Sequence, residues 1–365
     1  MLESELRMSR IVSRIVSRTS VLMFRNRLYA LLMTTKFHAF AARSPKAPLE
    51  AFVYEPAPMG DHDVEIAITH CGICHSDVHL VDNDWGISSY PLVPGHEVVG
   101  KVAARGKHVT NLAVDDIVGV GWTRNTCRHC RECMHGNESL CLNSQATCLG
   151  NFGGFADRMR IPGDWAFKVP ASLDPAAVAP LLCGGAAVYG GFRAADLHPS
   201  MRVGIIGLGG LGHIGVKFAR AMGCEVTVFS HSPSKKSDAL AMGAHHFVVP
   251  GCDKPQMNHF DIIASTVSVS LNWGEYVDML RPTGKLLMLA AAGKPIEVSA
   301  MPLIIGRRTI MGSCTGGRGL INEMLEFAAR HQLGAQVERF KFADANKALD
   351  FVRQGNPRYR AVLEA

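Results

Sequence analysis

The chain has 365 residues, enough for two ordinary domains, and its 47% hydrophobic and 19% charged residues are typical of a globular protein. Its formal net charge is +6, of which the six arginines and two acids of residues 1–32 account for +4. The remaining chain is only +2, which does not predict nucleic-acid binding. No apolar run reaches the ~20 residues that a membrane-spanning helix needs, and we expect no membrane partner.

Residues 1–32 differ in composition from the rest of the chain. They are rich in arginine and serine and contain the repeat SRIVSRIVSR. One interpretation is an amphipathic mitochondrial targeting segment. The other is a start codon chosen upstream of the true one, with the protein beginning at Met33. We favour the second interpretation and expect a cytoplasmic protein, with a mitochondrial location as the alternative if residues 1–32 are a transit peptide.

Residues 33–181 predict short β-strands interrupted by glycine and proline. The strand candidates are DVEIAITHCGI, EVVGKVAARG, DDIVGVGW and FADRMRI. This pattern is typical of an irregular, mostly antiparallel β domain.

A nine-residue stretch of this region, CGICHSDVH, combines cysteines with histidines. Its Cys71 and Cys74 have the Cys-x-x-Cys spacing, which fits a metal site using both sulfurs, thiol–disulfide chemistry, or neither. A catalytic zinc needs three mixed ligands and an open position. Cys74, His96 and Cys183, each beside glycines, are candidates, but their spacing alone does not assemble them into one site.

A second group of cysteines lies in the segment 127–141. Its members are Cys127, Cys130, Cys133 and Cys141. Four thiolates complete the tetrahedral shell of zinc and leave no position for water, so this segment predicts a structural zinc lobe. The intervening His129 and His135 are expected to be bystanders.

Residues 182–316 alternate strand and helix patterns. The strand candidates are RVGIIG, EVTVFS, HHFVVP, FDIIASTV and KLLMLAAAG, and the helix candidates are GLGHIGVKFARAMG, PSKKSDALAMG and WGEYVDMLRPTG. This alternation predicts a doubly wound parallel sheet with helices on both faces. Residues 317–365 then predict helix, strand, helix and strand.

A glycine-rich loop follows the first of these strands. It reads Gly207, Leu208, Gly209, Gly210, Leu211 and Gly212. Between a strand and a helix, such glycines allow a tight turn, close approach of a pyrophosphate and close helix packing. The helix N-terminus adds free N–H groups for the phosphates. The loop therefore predicts a bound dinucleotide.

The end of the second strand predicts which dinucleotide binds. An acid there would hold the ribose hydroxyls of NAD. The residues at this position are Ser230, His231, Ser232 and Lys235. Glu225 lies at the opposite end of the strand, and Asp238 is the next acid. Since hydroxyls and a lysine bind a 2′-phosphate that a carboxylate would repel, we favour NADP(H).

Taken together, these motifs resemble the zinc-dependent medium-chain dehydrogenase/reductase family. The similarity is to its cinnamyl-alcohol-dehydrogenase-like branch, and within it to bacterial NADPH-dependent aldehyde reductases. The matching stretches run in family order from about residue 36 to the C-terminus: CGICHSDVH, DNDWG, YPLVPGHEVVG, VGVGW, the four-cysteine lobe, GGFADRM, APLLCGG, GLGGLGH and RYRAVLEA.

The resemblance implies an α/β protein with a GroES-like catalytic domain over 33–181 and a Rossmann NADP-binding domain over 182–316. Residues 317–365 would return to the catalytic domain, with the active site between the two domains. Two zinc ions per subunit are implied, one catalytic and one structural.

The resemblance also assigns the ligands of the catalytic zinc. They would be Cys74, His96 and Cys183, with Glu97 behind the metal and able to ligate it, and Cys71 would be a buried thiol. Because consecutive residues of a strand point to opposite faces, His96 and Glu97 reach one metal only if the chain is irregular there.

Further site residues follow from the same resemblance. Ser76 and His79 would relay a proton between the substrate oxygen, the nicotinamide ribose and solvent. The additional cofactor contacts would be His75, Thr266, Val267 and Arg360. Trp85 and Trp122, beside catalytic motifs, are candidates for the substrate pocket wall.

The implied activity is reversible reduction of aldehydes to primary alcohols by NADPH. The segment LNSQATCLGNF is shorter than in plant members of the branch, so we expect a broad range of aromatic and aliphatic aldehydes. Members of the family pair through an edge strand of the nucleotide domain, and the stretch around GRRTIMGS could be that strand, so the resemblance implies a homodimer. Two alternatives are a zinc-free quinone or enone reductase on the same fold, and a non-catalytic zinc-binding protein.

Overall fold

The computed structural model describes residues 36–254, 256–291 and 293–365. The two interpretations of residues 1–32 lie outside the described residues. Two large sheets dominate the described chain, and its last strands belong to the first of them.

The first sheet lies next to two short antiparallel pairs. The first pair is the hairpin of β1 Phe37–Ala41 and β2 Glu50–Tyr54. The sheet itself contains β3 Asp63–Ile73, β4 Glu97–Arg105, β5 Ile117–Val120, β8 Arg158–Pro162, β9 Phe167–Lys168, β16 Val337–Lys341 and β17 Arg360–Glu364. The second short pair is β6 Thr123–Asn125 with β7 Gln145–Ala146. The order is β16–β17–β3–β4–β5–β9, with β8 also on β3, and only β16 and β17 run parallel.

The second sheet is parallel throughout. Its strands are β10 Arg202–Ile206, β11 Glu225–Phe229, β12 His246–Val248, β13 Phe260–Ser265, β14 Leu280–Met288 and β15 Thr309–Gly312. They lie in the order β12–β11–β10–β13–β14–β15. The order reverses between β10 and β13, and a crevice at the carboxyl ends of strands at such a reversal is where ligands bind in open α/β sheets.

The helices of the described chain are mostly short. They are α1 His75–Asp82, α2 Arg131–Met134, α3 Pro175–Val178, α4 Gly184–Ala194, α5 Gly212–Ala221, α6 Lys236–Ala241, α7 Trp273–Met279, α8 Ala300–Gly306, α9 Arg318–Arg330 and α10 Ala345–Arg353.

Helices cover both faces of the parallel sheet, because successive strand residues point to opposite sides. Ile205 of β10 joins the core that contains Phe218 of α5. Its neighbour Ile206 joins a separate core that contains Trp273 of α7. The α/β class with a doubly wound parallel sheet is thus confirmed.

The predicted helix over WGEYVDMLRPTG is wrong in its second half. The helix ends at Met279, and Leu280 is already extended, with φ −70° and ψ 136°. Strand β14 begins there and continues through Pro282. A proline disfavours the helical conformation of the residue before it, here Arg281. Pro282 therefore ends the helix earlier than the apolar periodicity indicates.

Among the described residues, no single helix is long and apolar enough to cross a membrane. Two consecutive helical segments, Pro175–Leu182 and Gly184–Ala194, meet that test together, but they are bent by 53° at their junction. Most of their side chains are buried in the protein core.

The four-cysteine lobe is attached to α9 through a buried carboxylate. Glu138 accepts hydrogen bonds from the Arg318 backbone N–H at 3.2 Å and from its side-chain Nε at 2.9 Å. A side chain at Gly317 would collide with the Glu138 carboxylate and the Gly136 carbonyl, so glycine allows this close approach. Arg318 also pairs with Asp164 at 3.3 Å. The lobe and the start of α9 are therefore held as one unit.

Replacing Glu138 by glutamine removes this charge without a large change in volume. We expect Glu138→Gln to lower the free energy of unfolding by about 1–3 kcal/mol, because a buried charge-assisted hydrogen bond is lost. Glu132→Gln, at a half-buried carboxylate of the same lobe that accepts only a 3.4 Å hydrogen bond from Asn137, is the matched control and should change it by less than about 0.5 kcal/mol. Equal unfolding curves for the two variants, followed by fluorescence in denaturant, would contradict this role.

Candidate active site and metal centres

Four potential metal ligands converge where the first sheet meets α1 and α4. They are Cys74, His96, Glu97 and Cys183, and their donor atoms all lie within 4.8 Å of one another. Cys74 lies between β3 and α1, His96 directly precedes β4, Glu97 is its first residue, and Cys183 precedes α4. Two thiols, an imidazole and a carboxylate form a donor set that zinc accepts.

The chain is irregular where His96 and Glu97 reach the same point. Gly95 has a φ of +101°, in the region that favours glycine, and a side chain there would meet Phe155 at 2.7 Å. Because His96 lies in this turn and not in β4, its side chain can point to the same place as that of Glu97, the first residue of the strand. On the opposite strand, a Cβ at Gly72 would overlap the Glu97 carboxylate, so glycine leaves room for that side chain.

Asp77, which the sequence analysis missed, holds Cys74, Gly95 and His96 in place. Its carboxylate accepts hydrogen bonds from the backbone N–H of Gly95 at 2.8 Å and of Cys74 at 2.9 Å. Its Oδ1 is also 3.1 Å from His96 Nδ1. The other ring nitrogen, Nε2, faces Cys183 Sγ at 3.3 Å, and a neutral ring held in this orientation would present the Nε2 lone pair to a metal. The sequence signal that could have identified this residue is the acid directly after Cys74, His75 and Ser76.

The two oxygens of the Glu97 carboxylate have different surroundings. One oxygen accepts a hydrogen bond from Arg360, whereas the other is buried with no hydrogen-bond partner among the described residues. Burial raises the pKa of Glu97 to about 7, although Arg360 opposes the shift. A buried carboxylate oxygen without a partner is expected where a cation binds, so this observation fits a metal at the cluster.

The sulfurs at the cluster have opposite proton affinities. A hydrogen bond with Cys183 lowers the pKa of Cys74 well below its usual value and raises that of Cys183. Burial opposes a charge on His96, but the Asp77 carboxylate raises the pKa of the imidazole well above its usual value. Metal binding to such a set releases protons, since thiolates and neutral imidazole are the ligating forms.

Cys71 lies outside this cluster. Its side chain is fully buried, its Sγ is 3.6 Å from the Gly72 carbonyl oxygen, and burial raises the pKa of the thiol. The Cys-x-x-Cys spacing therefore does not bring both sulfurs to one metal.

The predicted relay residues lie on α1 beside the cluster. The Ser76 hydroxyl is 3.6 Å from the Cys74 sulfur. His79 lies one turn further, with its Nδ1 2.8 Å from the Asp84 carboxylate. The exposed His75 ring is 5.1 Å from the His79 ring. Ser76 is thus at the donor set and His79 lies toward solvent, which is the spatial order that the predicted relay needs.

The two predicted pocket tryptophans occupy different places. The Trp122 ring is 4.9 Å from the His96 ring and lines a cleft of about 490 Å³ together with Leu149. Trp85 is 45% exposed and its ring lies 5.2 Å from that of His79. Trp122 therefore borders the donor set directly, whereas Trp85 is on the outer side of the relay histidine.

The lobe over 127–141 gathers a second set of donors. These are Cys127, Cys130, Cys133 and Cys141, again within 4.8 Å of one another. Backbone N–H groups of His129 and Cys130 lower the pKa of Cys127 to about 6, which favours a thiolate. The ring nitrogens of His129 and His135 bond to backbone carbonyls of Cys127 and Arg131 instead. Four sulfurs without a further donor fit a closed structural zinc site.

A cleft of about 250 Å³ opens at the carboxyl ends of β10, β11 and β13. The predicted cofactor residues that line it are Gly207, Leu208, Gly209, Ser230, His231, Lys235, Thr266 and Val267. Gly207 has a φ of +88°, and a side chain at Gly212 would collide with the Gly207 carbonyl oxygen. The Lys235 amine donates to the Leu208 carbonyl at 2.9 Å, which places its charge at the cleft.

The other predicted cofactor residues lie around this cleft rather than in its wall. Gly210 adjoins Arg360, since a side chain there would meet the arginine at 3.1 Å. Leu211 precedes α5, and the Ser232 N–H donates to the Ser230 hydroxyl at 3.3 Å. His75 does not line this cleft. For these residues the role stays a prediction.

His213, which the sequence analysis did not select, links the glycine loop to the returning chain. Its Nδ1 donates to the Gly209 carbonyl at 3.0 Å and its Nε2 accepts from the Gln336 N–H at 3.1 Å. The ring stacks on Tyr359 with centroids 5.1 Å apart. Burial lowers the pKa of His213 to about 3, so the imidazole is neutral and both hydrogen bonds have a fixed direction.

Comparisons with known proteins agree with this geometry. The model of the alcohol dehydrogenase GroES-like domain matches residues 60–171, and that of the zinc-binding dehydrogenase domain matches residues 210–330. The chain is 41% identical to an aldehyde reductase of Synechocystis sp. over 328 residues, 89% of this chain and 98% of the relative. It is 40% identical to a probable cinnamyl alcohol dehydrogenase of Arabidopsis thaliana over 337 residues, 89% and 93% of the two chains.

Solved structures give the same result. A cinnamyl alcohol dehydrogenase from Sorghum bicolor superposes with a TM-score of 0.86 at 36% identity, covering 90% of this chain and 98% of its own. A Helicobacter pylori enzyme of this type, solved with NADP(H), has a TM-score of 0.84 at 30% identity, covering 91% and 99%.

The buried His213 makes the stability of the fold depend on pH. An unfolded imidazole takes up a proton near pH ~6.5, whereas the folded one stays neutral down to a pKa of about 3. The unfolded state therefore binds more protons in this window, and the free energy of unfolding falls as the pH falls. Between about pH 7 and about pH 5.5, wild type should lose about 1 kcal/mol more than His213→Gln. Parallel losses in denaturant titrations of the two proteins would contradict this.

Proposed function

The chain belongs to the zinc-dependent alcohol dehydrogenase family, and from this premise we propose that it is an NADP(H)-dependent aldehyde reductase. The reaction is reduction of an aldehyde to a primary alcohol by NADPH, reversible in principle. The observation that carries the proposal is the convergence of four donors, two of them cysteines from distant segments, in a protein that also has a dinucleotide cleft. The chain's relatives among aldehyde reductases and cinnamyl alcohol dehydrogenases support the same reaction.

The metal-binding residues have distinct tasks. Cys74, His96 and Cys183 would hold the catalytic zinc, and Glu97 offers its unpartnered oxygen as a further ligand. Bound zinc supplies Lewis acidity toward the aldehyde oxygen, and bound NADPH supplies the hydride. Asp77 keeps the His96 imidazole in one orientation through its hydrogen bond to Nδ1.

Ser76 and His79 would handle the proton that the alcohol product requires. The Ser76 hydroxyl lies at the edge of the donor set and can donate to a substrate oxygen there. His79 is three residues along the same helix and partly exposed, so it can exchange protons with water. Asp84 holds its ring through Nδ1.

The preference for NADP(H) rests on the residues that follow β11. Ser230 and His231 line the cleft, and Lys235 brings a cation to it. The two nearest acids are occupied elsewhere: Glu225 pairs with His246 at 2.8 Å, and Asp238 accepts from the Tyr359 hydroxyl at 2.7 Å. A 2′-phosphate would therefore meet a donor-rich wall without a competing carboxylate.

The substrate range would be broad. The cleft beside Trp122 is bounded by residues 144–146 and 149–151, which belong to the short segment noted in the sequence. A short wall leaves space for aromatic and for aliphatic aldehydes. The zinc-free reductase is not favoured, because Cys74 and Cys183 meet at one point, and a non-catalytic zinc protein would have no use for the dinucleotide cleft.

We also propose a homodimer formed through the edge of the parallel sheet. Strand β15 lies at that edge, and the neighbouring α8 exposes Met301, Ile304 and Ile305 by 61–78%. An edge strand with an apolar neighbour gains most by pairing with a second copy.

We also propose that the enzyme is cytoplasmic. A full-length fluorescent fusion should be distributed through the cytoplasm, and its import into mitochondria would contradict this proposal.

The cofactor assignment is tested with one lysine pair. Wild type should reduce benzaldehyde and hexanal faster with NADPH than with NADH. Lys235→Ala should raise the KM for NADPH by about tenfold or more and change that for NADH by less than about twofold, since one charge-assisted contact is lost. Lys236→Ala, exposed and one residue away, is the control and should change neither. An NADH preference in wild type would contradict the assignment.

The same assay tests the metal. Removal of zinc by chelation should abolish aldehyde reduction, and elemental analysis should give two zinc ions per subunit before treatment. Full activity after complete zinc removal would return the zinc-free reductase as the better explanation.

The dimer is tested by multi-angle light scattering. Wild type should have twice the mass of the subunit, and Ile305→Glu should shift it toward the monomer because a charge would be buried at the contact. Val114→Glu, at an exposed valine of the first domain, is the control. A monomeric wild type would exclude the proposal.

A further inference from the structure

A third cavity, of about 430 Å³, is lined by none of the residues of the dinucleotide cleft and by none of the four metal donors. It is bordered by the β1–β2 hairpin, by β8 and by residues 148–152. It shares only Gly150 and Asn151 with the cleft beside Trp122, so the short segment separates the two spaces. Neither the proposed reaction nor the predicted cofactor contacts use this cavity.

The cavity contains a half-buried cation without a carboxylate partner. Arg124 donates one hydrogen bond, to the Arg160 carbonyl at 2.7 Å. Among the residues that the structure describes, no carboxylate oxygen lies within 4.0 Å of its guanidinium. The neighbouring Arg160, by contrast, is held by Glu65 at 2.8 Å. Burial lowers the pKa of Arg124, which reflects a charge taken from water without full compensation.

The cavity walls are aromatic around this cation. The Tyr54 ring lies 4.5 Å from that of Phe152 and 5.6 Å from that of Phe37. Met159 also lines the space. Burial raises the pKa of Tyr54 to about 12, so its hydroxyl stays protonated and is available as a donor. Because these rings already contact one another, a planar apolar group would pack against the faces that they present to the cavity.

The charges limit the class of ligand. Two guanidiniums line the cavity, but Arg160 is engaged by Glu65, so Arg124 is the cation left for a ligand. This guanidinium and the Tyr54 phenol suit a carboxylate, which accepts two hydrogen bonds in a plane. The carboxylates of Glu55 and Asp63, which also line the cavity, oppose a doubly charged phosphate more than a singly charged ligand. We propose that this cavity is a second small-molecule site that binds an aromatic monocarboxylate, with the carboxylate on Arg124 and the ring against Tyr54 and Phe152.

The site lies directly behind the metal cluster. The Cys148 side chain lines the cavity, and its sulfur is 3.9 Å from His96 Nδ1. An occupant would therefore lie on the side of Cys148 away from the donor set. The inference is independent of the proposed reaction, because it uses no residue to which that reaction assigns a role.

The test is calorimetric titration of the zinc-loaded, NADP⁺-saturated enzyme with benzoate. With the substrate site saturated by an aldehyde, wild type should still bind one benzoate per subunit. Arg124→Gln should weaken this binding by about tenfold or more through loss of the charged contact. Arg158→Gln, on the adjacent strand and outside the cavity lining, is the matched control and should bind as wild type does.

Further probes and a second variant keep the outcome decisive. Benzamide, which retains the ring but has no charge, and inorganic phosphate should both bind more weakly than benzoate. Tyr54→Phe, which deletes one hydroxyl, should weaken benzoate binding if Arg124→Gln is too unstable to study. Equal affinity in wild type and in the cavity variants would overturn the proposal, as would benzoate binding that aldehyde fully displaces. Aldehyde reduction by the same variants is measured separately, so failure of the catalytic assignment is distinguishable.

Discussion

The buried ion pair between Glu97 and Arg360 joins the principal parts of the molecule. Glu97 belongs to the donor cluster at the start of β4, and Arg360 begins β17, the strand that returns the chain to the first sheet. Arg360 also donates to the Ile73 carbonyl at 3.3 Å and lies against Gly210 of the glycine loop. Burying two charges is unfavourable unless each is compensated, so the cluster, the returning strand and the loop must be placed together.

Much of the fold was predictable because its signals are local. The alternation of strands and helices after residue 201 and the glycine loop are contiguous patterns, and the chain folds them as short segments. The four cysteines of the lobe were predictable for the same reason. The prediction failed at residues 280–284, where apolar periodicity continued past the point at which Pro282 and the strand pairing end the helix.

The catalytic cluster was not predictable from spacing, because Cys74, His96 and Cys183 come from three separate connecting segments of the chain. Only the family resemblance proposed them together. Asp77, Gly72 and Gly95 were missed since an acid in the first turn of a helix and single glycines in strands and turns are common for structural reasons. Their importance appears only when the contacts of His96 and Glu97 are known. His213 was missed because one histidine on a buried helix face has no sequence pattern of its own.

The lobe's attachment to α9 has a consequence for the order in which the protein is made. The lobe's ligands occupy one short segment, so they can capture zinc soon after that segment leaves the ribosome. The hydrogen bonds of the Glu138 carboxylate can form only after Arg318 is synthesised, 180 residues later. The catalytic donors are completed later than those of the lobe, and Glu97 gains its cation only after β17 exists. During synthesis, the two metals would thus be acquired at different times, with the structural one first.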